Sequence, residues 1–101
     1  MVRKSLRCQM INNTSLPAYA VVQSLAGRDK DHLYVVVGKL ANPYVWIADG
    51  RKYKVGKPKK KNCRHLCVLR DSPVPQRMSD EWIRSVLNRA KVELTREVTH
   101  V

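Results

Sequence analysis

Two stretches of this chain carry groups whose types and spacing could do chemistry. The first is AGRDK, residues 26–30, where a glycine precedes an Arg-Asp-Lys alternation. The second is residues 51–70, which hold nine Lys or Arg and no acid. The chemistry both point to is recognition of a polyanion. Gly27 lets backbone amides approach a phosphate while Arg28 and Lys30 reach past it. Asp29 between them is repelled by phosphate, so its expected work is to orient Arg28 or cap the turn. In the second stretch, Arg51, Lys52, Lys54, Lys57, Lys59, Lys60, Lys61 and Arg64 would track a nucleic-acid backbone and release its counterions. Asn62 is a candidate for contact with a base edge, as is His65, although either also suits a local backbone group, which is the favoured role.

The placement of charge supports this. The chain has 101 residues and a formal net charge of +12. Residues 1–50 contribute +3, residues 51–70 contribute +9 and residues 71–101 contribute nothing. So one-sided a block repels itself unless counter-charge arrives from outside, and nucleic acid leads the candidates ahead of acidic lipid.

Catalysis finds little support. Asp29, Asp31 and Asp49 all fall in turns, with no second acid or histidine tied to them by spacing, and there is neither a nucleophile elbow nor a phosphate-binding glycine loop. No enzyme and no small-molecule substrate is expected. Cys63-x-His65-x-Cys67 invites a zinc reading, but its spacing matches none of the usual knuckles and a fourth ligand would have to come from distant Cys8, His32 or His100, so neither metal nor other cofactor is expected. Three cysteines are an odd number without the density of a disulfide scaffold, which reads as reduced thiols in a cytoplasm, with Cys63 and Cys67 serving as small apolar residues.

The elements that must position the cations follow from pattern. At this length one modest core is expected, and no apolar run reaches the roughly 20 residues that cross a bilayer. Residues 1–17 lack periodicity and read as a flexible basic leader. Residues 19–24 read as a first strand, 27–31 as a turn, and LYVVVGKL as a strand buried on both faces, with Gly38 allowing a bulge. YVWIA follows as a third strand. Asp49-Gly50 between YVWIA and RKYKV is a strong type I′ hairpin signal. Its register would put Tyr44, Trp46, Tyr53 and Val55 on one face, read as the core face, which favours a buried Trp46 over a base-stacking one. Pro58 would end that fourth strand and leave the lysine run as a loop. Residues 64–70 read as a fifth strand and 71–78 as a linker. Ser79, followed by Asp80 and Glu81, starts a helix over 79–95 with Trp82, Ile83, Val86, Leu87, Ala90 and Leu94 on one side. The expected class is mainly β, a small five-stranded barrel over 18–70 followed by an amphipathic helix.

At these residues the chain resembles a known family. VVQSLAGRDKDHLYVVVG resembles the KOW motif, and YVWIADGRKYKVGKPKKKNCRHL with MSDEWIRSVLNRA is similar to bacterial KOW-domain RNA-binding proteins related to archaeal and eukaryotic large-subunit ribosomal proteins. The likeness covers about residues 20–92. It implies an SH3-like barrel that binds RNA, ribosomal RNA or the ribosomal particle being the expected partner of a monomer. The chain departs from the family's pattern at Asp31, where a glycine would follow GRDK, and at Tyr19 and Ala20, where a glycine would precede the first strand. The leader has no counterpart. Two other functions compete: a KOW module that binds proteins in transcription, and a basic protein lying on a membrane surface through Trp82, Ile83, Val86 and Leu87. The lysine block argues against the first, since a purely protein-binding surface would not need it, and Asp80 and Glu81 on the helix argue against the second.

Overall fold

A computed structural model describes residue 13, residues 16–72 and residues 74–99, with the side chains of 95–99 left aside. Five strands, β1 (Val21–Ser24), β2 (Leu33–Lys39), β3 (Tyr44–Ala48), β4 (Lys59–Asn62) and β5 (Leu66–Arg70), precede one helix, α1 (Asp80–Thr99). All neighbouring strands run antiparallel in one sheet of order β4-β3-β2-β1-β5. The pairings do not join β4 to β5, so the sheet is open among the described residues.

Strand β2 shows why this sequence makes a two-layered core. Its β-branched and aromatic side chains suit a pleated surface, and successive residues point to opposite faces. Tyr34 and Val36 join Val22, Val45, Ile47, Cys63 and Leu66 on one side. Leu33 and Val35 join Val21 and Ala48 on the other, where Ile83, Leu87 and Ala90 of α1 cover them. Both faces of β2 are thus buried, as its continuous apolar run implies. A register shift between Val36 and Gly38 makes the bulge anticipated at Gly38.

The helix begins as its sequence indicates. The Ser79 hydroxyl accepts the Trp82 amide at 3.1 Å, and Asp80 and Glu81 occupy the first turn. An N-cap oxygen and two carboxylates meet the unpaired amides there.

Three expectations fail. Asp49-Gly50 is not a two-residue hairpin. A type I′ turn needs positive φ at both central residues; Gly50 has φ 79°, but Asp49 is not among the residues with positive φ. The Asp49 carboxylate instead accepts the amides of Arg51 and Tyr53, each at 2.9 Å, which curls 49–53 into a side-chain-stapled loop. The partner of β3 is therefore not residues 51–55 but the lysine run, read from sequence as a loop, whose residues 59–62 are β4. Pro58 stands just before this edge strand, where its missing N–H costs no ladder bond. The third failure follows from the second: Val45 and Ile47 are fully buried, whereas on the other face of β3 only Ala48 at its end is buried, Tyr44 being exposed and Trp46 half-buried, the reverse of what was expected for the large side chains.

The boundaries differ too. Residues 1–12 of the expected leader lie outside the described residues, but Asn13 and Leu16 belong to the folded unit. Leu16 is buried in the core beside Val36, and the Asn13 amide side chain donates to the carbonyls of Leu40 (2.9 Å) and Tyr44 (2.8 Å). The fifth strand starts at Leu66 because Cys63–His65 form a 3-10 turn first. Cys67 is disulfide-bonded, contrary to the expectation of reduced thiols, whereas Cys63 is a free buried thiol that burial pushes above its ordinary pKa.

Candidate nucleic-acid interface

The GRDK turn is built on left-handed backbone at its two ends. Gly27 has φ 88° and Asp31 φ 75°, and the Lys30 amide closes the turn onto the Gly27 carbonyl at 3.2 Å. Arg28 and Lys30 project from it, both exposed. Asp29 points inward. One carboxylate oxygen accepts the Ser24 hydroxyl (2.8 Å) and the Lys61 ammonium (2.9 Å); the other accepts the Tyr34 hydroxyl (2.9 Å), with the Lys59 ammonium 3.5 Å away. Asp29 thus ties the turn to the base of β1, to β2 and to β4 at once. Burial by itself would raise the Asp29 pKa, but the hydrogen bonds from Lys61, Ser24 and Tyr34, with the charge of Lys61, hold it well below the usual carboxylate range. Burial and donation to that carboxylate push the Tyr34 phenol above its ordinary value.

The alternation of β4 sorts the lysine run. Lys59 and Lys61, opposite Ile47 and Val45, lie on the Asp29 side; Lys60, opposite Trp46, lies on the other. Lys61 is only 11% exposed along its side chain, so it is a structural cation rather than a contact residue. Lys60 is exposed, with its ammonium 4.5 Å from the Tyr44 ring centroid. Arg70 pairs with Glu93 of α1. Asn62 accepts the Arg64 amide at 2.9 Å, capping the 3-10 turn, which is the local role favoured from sequence. Arg64 and His65 are exposed beside it. Arg51, Lys52, Lys54 and Lys57 are all exposed on the loop that leads to β4.

That loop is fixed to the helix. The Asp80 carboxylate accepts the Val55 amide at 2.8 Å, and the Arg84 guanidinium donates to the Gly50 carbonyl at 2.7 Å. Gly50 is needed here, because a Cβ added to it would lie 2.7 Å from the Asp80 carbonyl oxygen. Between the GRDK turn, this loop, Lys59 and α1 opens a cleft of about 960 Å³. Arg28, Arg51, Lys52, Lys59, Arg84 and Lys91 line it, against the carboxylates of Asp29, Asp31 and Asp49. Of those three, Asp29 is neutralised by its lysines and Asp49 is engaged by loop amides.

The structure therefore brings Arg28 and the loop cations Arg51 and Lys52 to one cleft, and places Lys60 on a different face. Sequence reasoning missed the helix residues Arg84 and Lys91. Their signal was present: 84, 88 and 91 form a polar stripe at helical spacing, but which surface it would face was not legible along the chain. Cys63, His65 and Cys67 do not converge, being respectively buried, exposed and disulfide-bonded. Among the described residues no helix is long and apolar enough to cross a membrane. Comparison with known proteins finds no family model that matches the chain and no curated relative that matches it.

Proposed function

We propose that this chain is a non-enzymatic RNA-binding protein of the KOW type that grips structured RNA, of the kind found in ribosomal particles, through its phosphates. The observation that carries this is the convergence of exposed cations from separate elements, Arg28 from the turn, Arg51 and Lys52 from the loop and Lys91 from α1, around one open cleft. A cleft this open and this cationic suits a polymer backbone better than an enclosed small molecule, whose sites are mostly apolar.

The backbone adds support for the KOW relationship. The chain lacks glycine at two places where the family has it, and there Asp31 adopts φ 75° and Tyr19 φ 61°. These are conformations that glycine takes without strain, so the local geometry fits the family's pattern even where the residue does not. The strongly packed side of the five-stranded sheet, lined by Val22, Tyr34, Val36, Val45 and Ile47, is likewise what the interior of an SH3-like barrel would be.

The test is titration of RNA binding against salt with a folded ribosomal RNA fragment. With about five phosphate contacts, affinity should fall with a log-log slope of roughly −3 to −5. A charge-matched pair locates the contacts: Lys91→Gln in the cleft should flatten the slope by about one, whereas Arg89→Gln, exposed on α1 but outside the cleft, should leave it nearly unchanged. A wild-type slope near zero sinks the reading.

A further inference from the structure

We infer that Tyr44, Trp46 and Lys60 form a platform on which unpaired RNA bases stack, so that the preferred RNA of this protein presents single-stranded nucleotides beside its folded backbone. This rests on the RNA-binding reading above and narrows its ligand. The register of β3 puts Trp46 directly opposite Lys60 and Tyr44 opposite Asn62, on the face away from Val45 and Ile47. On that face α1 covers Ala48, but neither Tyr44 nor Trp46 packs against the buried cluster on either side of the sheet among the described residues. Tyr44 is 37% exposed and Trp46 half-buried.

Trp46 lies over Gly38, its strand neighbour. A Cβ at Gly38 would stand 3.2 Å from Trp46 Cδ1, so the missing side chain lets the indole settle close to the sheet. Lys60, the cross-strand partner of Trp46, sits over the Tyr44 ring, a cation–π contact that steadies the tyrosine and sets an ammonium beside it. Two aromatic side chains of β3 outside both cores, next to a lysine of the edge strand β4, in a chain carrying +12, are complementary to a base with its phosphate. Every base has a π-face, and aromatic stacking with adjacent cations is how single strands are held. A neutral protein surface would use the aromatics without needing the adjacent ammonium, and an anionic lipid surface, which would use both, lacks the flat π-face that a base offers each ring.

The experiment uses the whole chain and two RNA probes of equal length, an unstructured uridine-rich strand and a blunt duplex. Affinity is measured across salt for wild type, Tyr44→Leu and Trp46→Leu, with circular dichroism verifying the fold. Each variant should bind the single strand about 5- to 100-fold more weakly, with an unchanged salt slope, because a stacking contact releases no counterions. The duplex should be affected little. Tyr44→Leu carries the result if Trp46→Leu fails to fold, since Tyr44 is exposed. Unchanged single-strand binding by folded Tyr44→Leu overturns the inference, as do equal losses on both probes. If wild type binds neither RNA, the functional reading falls and this inference with it; if it binds both and the variants do likewise, only the platform falls. Binding to phosphatidylserine vesicles, or self-association, that depends on Tyr44 while RNA binding does not would give the face to lipid or to a second copy and overturn the assignment to bases.

Discussion

Asp29 shows how one carboxylate can organise a cationic surface. In the sequence it interrupts Arg28 and Lys30 and looks like a liability for an anion-binding turn. In the fold it withdraws from the surface and consumes Lys61, with Lys59 nearby, while Arg28 and Lys30 stay outside. Asp29→Asn should lower stability at neutral pH by about 1–3 kcal/mol, the range for charged hydrogen bonds at least partly buried. Because the folded-state pKa is depressed, the wild-type carboxylate stabilises the fold fully above its ordinary value near 4 and loses that contribution as pH falls below it. Urea unfolding of both proteins at several pH values checks this. The gap between them should be widest near pH 7 and shrink toward pH 3, and a gap independent of pH would contradict the assignment. Tyr34 illustrates the limit of residue-by-residue reading: its place in an apolar strand was plain, but its hydroxyl's partner five residues upstream was not.

At the scale of elements, the loop after β3 matters most, because it joins the basic surface to the helix. Gly50 meets two demands at once, a positive φ and close contact with the Asp80 carbonyl and the Arg84 side chain. Gly50→Ala should therefore cost about 2–4 kcal/mol, from left-handed strain together with overpacking. Thermal denaturation followed by circular dichroism would register this as a drop of many degrees in Tm, and a change under about 0.5 kcal/mol would show that the loop is not anchored as described. The failed hairpin belongs to this scale as well. Asp-Gly between two apolar-alternating runs is a strong local signal, yet the Asp49 side chain bonds the loop amides and α1 holds Gly50 and Val55 from outside. Tertiary and side-chain bonds together outweigh the local preference for a tight turn.

For the whole molecule, the helix is both a cover and a wall. It buries one face of the sheet with Ile83, Leu87 and Ala90, and its Arg84 and Lys91 close the far side of the cationic cleft. A protein that uses such a cleft on a ribosomal particle should comigrate with large subunits when native lysate is sedimented through sucrose gradients. Survival at high salt would mean a specific site, loss at high salt alone would mean a chiefly electrostatic one, and protein at the top of both gradients would contradict ribosomal association. Net charge, four of the five strands (β1, β2, β3 and β5), the buried character of β2, the Gly38 bulge and the amphipathic helix with its Ser79 cap were legible in the sequence, whereas β4 was hidden in a lysine run with no apolar pattern. Each depends on properties that local composition and periodicity carry: β-branching, turn chemistry, the helical repeat and charge density. Which strand pairs with β3, and so which side of Tyr44 and Trp46 faces the core, was decided only in three dimensions. So was the division of the lysines into Lys61, bound to Asp29, and Lys60, held over an aromatic ring. A strand's side chains alternate with period two, so its partner and register fix every face at once, and that choice rests on contacts between residues far apart in the chain.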